Sequence, residues 1–232
     1  MIDVVLFDLD GTLIDHESAA RRAVVEWSVA QGWNQNAAED EISEHWDVIA
    51  ERNFERHRRG ELSFQGQRRQ RMREFLPFVG KDPTTLSDDA LDEAFAGYLD
   101  RYEAAWRPFD DARPALERLR DRVRLAILSN GDQAQQLQKL RAAGLEGLFE
   151  SIMTSSLLGV SKPDVRAFER ACEALETPVE RVLYVGDRPT VDAIPAMEAG
   201  LHAVLVARSG DPGPMPEGIR VIRSLAELEL PD

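Results

Sequence analysis

One segment near the start of the chain decides the fold: Val4-Val5-Leu6-Phe7-Asp8-Leu9-Asp10-Gly11-Thr12. An apolar run of this kind, bounded by a glycine, predicts a buried strand of a parallel sheet. The strand ends in two acids, and burying acids is costly unless a cation lies close to them. Because α/β folds bind ligands at the carboxyl ends of their strands, the segment predicts a site for a divalent metal and a phosphoryl group. The alternative is that Asp10-Gly11 forms only a turn and that Asp8 caps the strand.

Composition narrows the class of protein. The chain has 232 residues, of which 43% are hydrophobic, so it can bury a substantial core. Its one cysteine, Cys172, excludes an internal disulfide and a cysteine-cage metal site. No secretion signal or bilayer-length apolar stretch is found, so we expect a cytoplasmic protein without a membrane partner. The net charge of −14 argues against a nucleic-acid partner, because phosphate backbones require a basic surface.

The chain divides into two parts that differ in their predicted secondary structure. Residues 16–105 contain no convincing strand and show helical spacing, whereas strands and helices alternate from about residue 110 onward. The first part predicts helices near 16–31, 37–59, 63–77 and 86–105. The second part predicts strands at 123–128, 149–154, 181–185 and 202–206, an edge strand at 221–222, and helices at 113–120, 133–143, 163–175, 191–199 and 224–230.

Alternating strands and helices with short loops indicate a parallel sheet covered on both faces. We therefore predict an α/β protein with a Rossmann-like, doubly wound core. This core comprises residues 1–15 and 106–232, and an all-helical cap domain, residues 16–105, is inserted into it. The first strand is thus separated from its partners by the whole insert.

Polar residues follow the predicted strands, and parallel strands bring such residues to one crevice. The residues concerned are Asp8, Asp10, Ser129, Asn130, Lys162, Asp187 and Asp192. A cluster of carboxylate oxygens suits Mg²⁺, which also binds substrate phosphate. The hydroxyl and the ammonium group suit the remaining phosphate oxygens. Lys162 is one of only three lysines among 28 basic residues, which makes an incidental lysine at this position less expected.

With these residues, the chain resembles the phosphatase branch of the haloacid dehalogenase superfamily. Four segments match the motifs of that family in the right order: Phe7-Asp8-Leu9-Asp10-Gly11-Thr12, Leu128-Ser129-Asn130-Gly131, Ser161-Lys162-Pro163-Asp164, and Val185-Gly186-Asp187-Arg188-Pro189-Thr190-Val191-Asp192. The resemblance covers almost all of the chain outside the insert. The position of the insert, between the first and second motifs, is similar to that of the helical cap of the family.

The resemblance implies a role for each matching residue. Asp8 would attack phosphorus and Asp10 would act as general acid and base. Lys162 would offset negative charge on the nucleophile and the phosphate. The phosphoryl oxygens would be held by Ser129, by the amides around Asn130 and Gly131, and by Lys162. Mg²⁺ would be held by Asp8, Asp187 and the main-chain carbonyl of Asp10, while Asp192 would act through a metal-bound water or by orienting Lys162.

We therefore expect a Mg²⁺-dependent phosphatase that hydrolyses a small phosphorylated metabolite through an aspartyl-phosphate intermediate. Asp10 favours ester chemistry over carbon–halogen cleavage, because a halide leaves without being protonated. A phosphosugar mutase of the same superfamily and a catalytically idle binding scaffold remain alternatives. The expected partner is a small-molecule phosphate ester, and the expected state is a monomer or a weak homodimer.

The insert carries a basic segment. Residues 52–73 hold eight arginines and two acids. One hypothesis is that Arg56, His57, Arg58 or Arg59 meets a distal anionic group of the substrate. We favour the alternative, a solvated helix face that is balanced by acids of neighbouring helices. The tryptophans of this region, Trp27, Trp33, Trp46 and Trp106, are interpreted as packing residues.

Overall fold

A computed structural model describes residues 1–33 and 37–231 of the chain. They form two compact units. The first consists of Met1–Asp15 and Arg107–Asp232, and the second of His16–Trp106.

The first unit contains a parallel sheet of six strands. The strands are β1 (Val4–Phe7), β2 (Arg124–Ser129), β3 (Ser151–Thr154), β4 (Val182–Gly186), β5 (His202–Val206) and β6 (Ile219–Ile222). Their order in the sheet is β3-β2-β1-β4-β5-β6. β1 lies between β2 and β4, with Val4 in register with Arg124 and with Val182. The ends of three strands that carry predicted site residues are therefore adjacent.

Both faces of this sheet are buried, as the unbroken apolar run of β1 predicts. Val5 and Phe7 pack with the buried face of α5 (Ala112–Arg120) and with Leu140 of α6 (Gln133–Ala142). Val4 and Leu6 point to the opposite face. There they pack with α8 (Val165–Ala174) and with Ala196 of α9 (Ile194–Glu198). The predicted α/β class with a doubly wound parallel sheet is confirmed.

Several element bounds differ from the predictions. The helix expected at 163–175 begins only at Val165, because Asp164 accepts a hydrogen bond from the amide of Arg166 and caps the helix. The helix expected at 191–199 is a π-helical turn, Pro189–Ala193, followed by the short α9. The last predicted helix is a single 3₁₀ turn at Leu225–Glu227. The short helix α7 (Ser155–Leu158) was not predicted from the sequence.

The second unit contains α1 (His16–Ala30), α2 (Glu39–Arg58), α3 (Phe64–Phe78) and α4 (Asp88–Ala105). Ser63 and Ser87 cap the last two helices by accepting hydrogen bonds from Gly66 and Ala90. The four predicted helices are confirmed over the described residues, although the start predicted for α2 at residue 37 lies two residues too early.

Aromatic side chains form the core of the second unit. Trp27 and Trp46 are buried and lie with their ring centroids 5.6 and 5.2 Å from that of Phe75. Trp33 packs edge-on against Trp27, and Trp106 is fully buried. The tryptophans are packing residues, as predicted. Among the helices of the described residues, none combines the length and the apolar character needed to cross a membrane.

Candidate active site

The predicted site residues of the core lie at the carboxyl edge of the sheet. Asp8 follows β1 directly, and its amide still donates to the carbonyl of Val185 in the neighbouring strand, at 2.8 Å. Ser129 is the last residue of β2, and Asp187 follows β4. The strand pairing therefore fixes where each of these side chains begins.

Lys162 is the centre of a buried polar network. Its ammonium nitrogen Nζ donates to Asp8 Oδ1 at 2.6 Å, to Asp192 Oδ1 at 2.7 Å and to the Tyr184 hydroxyl at 2.7 Å. The Tyr184 hydroxyl in turn donates to Asp192 Oδ1 at 2.9 Å. Lys162 is only 2% exposed, so each of its three donors needs a partner inside the protein, and each has one.

The charges of this network support one another. Burial opposes the charged form of Lys162, but Asp192 and Asp8 outweigh that effect and hold its pKa above the ordinary value. Burial raises the pKa of the Tyr184 hydroxyl, and Asp192 raises it further. Tyr184 thus remains a neutral donor. It was predicted only as a strand residue, because nothing local to its sequence indicates a polar partner.

The main chain of Lys162 is fixed by the side chain of Asn130. The Asn130 amide Nδ2 donates to the Lys162 carbonyl at 2.7 Å, and Asn130 Oδ1 accepts from the Lys162 amide at 2.9 Å. A side chain of the second motif thereby fixes the main chain of the third motif. The amide of the neighbouring Gly131 donates to Ser155 Oγ at 3.0 Å. The predicted contacts of Asn130 and Gly131 with a phosphoryl group stay predictions.

Three acids come together beside Lys162. Carboxylate oxygens of Asp8, Asp187 and Asp192 lie within 4.8 Å of one another. Burial raises the pKa of Asp8 to about 7, against the opposing effect of Lys162. Burial likewise raises the pKa of Asp187 well above its usual range, and Asp8 raises it further. One ammonium group does not offset three close carboxylates, so this donor set fits a divalent cation with hard oxygen ligands.

Two glycines allow these acids to approach so closely. A Cβ atom on Gly11, whose φ is +86°, would lie 2.3 Å from Asp187 Oδ2. A Cβ atom on Gly186 would lie 2.5 Å from the Cβ of Asp192. Any larger residue at either position would push an acid out of the cluster.

Asp10 lies apart from that cluster. Its carboxylate accepts from Lys139 Nζ at 2.5 Å and from Gln136 Nε2 at 3.1 Å, and both donors lie on α6. The side chain of Asp10 is therefore engaged by α6, and its predicted contact with metal through the main-chain carbonyl stays a prediction. Sequence reasoning missed both donors. The rarity of lysine in this chain was the signal that could have indicated Lys139.

Six of the eight arginines of the basic segment pair with acids of the second unit. Salt bridges join Arg52 to Glu74, Arg56 to Glu61, Arg58 to Glu51 and Glu55, Arg59 to Glu55, Arg69 to Asp88 and Asp92, and Arg73 to Asp88. His57 Nδ1 lies 2.9 Å from the Leu62 carbonyl oxygen. This arrangement favours the interpretation as a charge-balanced face over a contact with substrate.

A family model described as haloacid dehalogenase-like hydrolase matches residues 2–200. The chain belongs to this family of hydrolases and is an enzyme. It is 29% identical over 213 residues to a glyceraldehyde 3-phosphate phosphatase from Methanopyrus kandleri, which covers 90% of this chain and 85% of that relative. It is 30% identical over 210 residues to the enzyme of the same name from Pyrococcus abyssi, covering 88% of this chain and 81% of the relative.

The fold of this chain is also similar to the folds of solved structures. A HAD-hydrolase from Bacillus subtilis, YfnB, solved bound to magnesium, superposes with a TM-score of 0.82 over 97% of this chain and 96% of its own. The sequence identity to YfnB is 23%, so this likeness establishes the fold alone.

Proposed function

We propose that the chain is a Mg²⁺-dependent phosphatase that hydrolyses a small phosphate monoester through a phosphoryl group carried on Asp8. The comparisons support a phosphoric monoester hydrolase, because the relatives that match most of the chain are named phosphatases. One observation carries the proposal. Lys162 holds Asp8 and Asp192 in one buried network beside Asp187, which gives a carboxylate nucleophile a cationic setting.

In the first proposed step, a carboxylate oxygen of Asp8 attacks phosphorus. The new O–P bond forms as the ester O–P bond breaks, and Asp10 gives its proton to the departing alkoxide. Lys162 keeps one oxygen of Asp8 in place at 2.6 Å and offsets the charge that gathers on the phosphoryl group. Ser129 is proposed to hold a phosphoryl oxygen.

In the second proposed step, Asp10 takes a proton from water, and the water oxygen attacks phosphorus. The O–P bond to Asp8 breaks, which restores the carboxylate and releases inorganic phosphate. The same group must therefore serve as acid and then as base. Asp10 fits this task because it lies two residues from the nucleophile but outside the three-acid cluster.

The residues proposed to hold Mg²⁺ are Asp8, Asp187 and the main-chain carbonyl of Asp10. When bound, the ion supplies positive charge to the phosphoryl oxygens and offsets the repulsion among the acids. Asp192 accepts from Lys162, from Tyr184 and from the amide of Arg188, at 3.0 Å for the last. These contacts favour its role in orienting Lys162 over direct binding of the metal.

The substrate is proposed to be a small phosphorylated metabolite. The named relatives make triose phosphates the first compounds to test, followed by phosphoserine, sugar phosphates and nucleoside monophosphates. The role of the helical unit as a cap stays a prediction from its position between the first and second motifs. A phosphosugar mutase keeps the same two acids, so only the product distinguishes it.

The test is release of inorganic phosphate from this panel, with and without Mg²⁺. We expect release that requires Mg²⁺, and we expect Asp8→Asn to lower it by about a thousandfold or more, because an amide is a poor nucleophile. Radiolabelled substrate should leave phosphate on the wild-type chain after an acid quench, but not on the variant.

Asp3→Asn is the matched control, because the side chain of Asp3 forms a surface ion pair with Arg181 away from the three acids. It should keep full activity. Phosphate transfer between substrate hydroxyls with little net release would indicate the mutase. Wild-type activity that survives Asp8→Asn would overturn the nucleophile, and no activity on any ester would favour the idle scaffold.

A further inference from the structure

A buried lysine outside the four motifs contacts the proposed acid and base. Lys139 lies on α6 and is 2% exposed, and its ammonium nitrogen lies 2.5 Å from Asp10 Oδ1. Removing an ammonium group from water is costly, so a lysine is found at such a position when a counter-ion fixes it. The counter-ion here is a carboxylate that is itself 25% exposed. Asp10 is thus held by a buried cation on α6 and remains partly exposed to solvent.

The same helix also reaches the second oxygen of that carboxylate. Gln136 lies one turn before Lys139, on the same face of α6, and is 3% exposed. Its Nε2 donates to Asp10 Oδ2 at 3.1 Å and to Ser129 Oγ at 3.1 Å. Each carboxylate oxygen of Asp10 therefore has a donor from α6, one charged and one neutral. A carboxylate held at both oxygens has little freedom to rotate.

We propose that Lys139 and Gln136 are positioning residues, which fix the rotamer of Asp10 so that the proton it carries points to the leaving oxygen. The inference rests on the proposed function, because it assigns an orientation to the proton donor of that reaction. Gln136 also links Asp10 to Ser129, so one side chain sets the distance between the group proposed to handle the proton and the group proposed to bind phosphate. Both residues act on the reaction through Asp10.

The contacts of Lys139 have another explanation, a purely structural ion pair. The two roles differ in which substrates they affect. A structural defect lowers catalysis for all esters alike. Misplacement of a proton donor matters most for strongly basic alkoxide leaving groups, which cannot depart unprotonated, and least for weakly basic nitrophenolates. The ratio kcat/KM is the appropriate measure, because it reports the steps up to release of the alcohol and leaves out hydrolysis of the phosphoenzyme.

The experiment compares kcat/KM of wild type, Lys139→Met and Gln136→Leu over esters that range from nitrophenyl to alkyl phosphates. We expect Lys139→Met to lose about tenfold or more on alkyl phosphates and about twofold or less on nitrophenyl phosphate. Gln136→Leu should show the same trend with a smaller loss. Lys139→Arg should recover most of the alkyl activity, because a guanidinium can still donate to Asp10.

Arg141→Met is the matched control. It removes a cation from the same helix, but Arg141 is exposed and pairs with Glu146 on the surface. Arg141→Met should leave the ratio of kcat/KM on alkyl phosphates to kcat/KM on nitrophenyl phosphate unchanged. Thermal melting checks that each variant is folded, and if Lys139→Met does not fold, Gln136→Leu carries the test.

The outcomes separate the two hypotheses. An equal loss across all leaving groups, or no loss, overturns the positioning role and leaves the phosphatase intact. A wild-type chain that hydrolyses none of these esters overturns the proposed function, and the inference about Lys139 is overturned with it.

Discussion

At the scale of single residues, the site depends on close approach. Gly11 has a φ of +86°, a conformation that L side chains rarely adopt, and it faces the carboxylate of Asp187. The same residue thus provides the turn after β1 and the space for an acid of another strand end. A larger residue at this position would meet two obstacles, the backbone conformation and the contact with Asp187. A control variant at a glycine with a similar φ can separate the two.

Gly11→Ala should weaken Mg²⁺ binding by about tenfold or more, because its Cβ would displace Asp187. The measurement is the Mg²⁺ concentration that gives half-maximal phosphate release. Gly210→Ala is the control, since Gly210 has a similar φ of +69° and nothing within 4 Å of its Cβ position. Both variants should lose about 1 kcal/mol of stability to backbone strain. Equal Mg²⁺ dependence in the two variants would contradict the role given to Asp187.

At the scale of elements, α6 connects local helix chemistry to the site. It begins after Asp132, whose Oδ1 accepts from the Gln135 amide at 3.1 Å. It buries Leu140 in the core and directs Gln136 and Lys139 toward Asp10. The position of its first turn therefore determines the position of two donors.

Asp132→Ala should lower the free energy of unfolding by about 1 kcal/mol, through loss of the N-cap. It should also lower kcat/KM for alkyl phosphates more than for nitrophenyl phosphate, because the first turn of α6 loosens. Chemical denaturation and the leaving-group series measure the two effects. Ser87→Ala removes the corresponding cap of α4 and should affect stability alone. A leaving-group effect of the same size in both variants would argue against transmission through α6.

At the scale of the whole molecule, local patterns predicted the helices and strands well. The apolar run of β1 fixed a doubly buried strand, and the alternation after residue 110 fixed the parallel sheet. Local patterns failed where a distant contact decides the outcome. Lys139 was not assigned to the site because its partner, Asp10, is 129 positions away. The helix predicted at 191–199 begins instead as part of a π-helical turn, Pro189–Ala193, which includes Asp192, and the contact of Asp192 with Lys162 is 30 positions away in the sequence.

The summed charge of the three acids predicts that Mg²⁺ and protons compete. The raised pKa values of Asp8, about 7, and of Asp187 mean that the folded chain holds protons that the unfolded chain has lost. Without metal, the free energy of unfolding should therefore fall as the pH rises from about 4 to about 7. Since Mg²⁺ is proposed to bind these acids in their deprotonated form, the increase in Tm on adding Mg²⁺ should be larger at about pH 8 than at about pH 6.

Thermal melts at both pH values, with and without Mg²⁺, measure this effect. Asp187→Asn should remove most of the Mg²⁺-dependent increase at both values. An increase in Tm that does not depend on pH in the wild-type chain would show that protons do not compete with Mg²⁺ for these acids.

The central place of β1 also bears on the order in which the molecule is made. A ribosome makes Val4–Phe7 before any other strand of this sheet, and both neighbours of this strand, around Arg124 and Val182, are synthesised only much later. The helical unit, complete at Trp106, is synthesised in full before the first of those neighbours. This central strand must therefore wait unpaired while more than a hundred residues are synthesised, and Asp8, which follows it, is fixed only when those neighbours have paired.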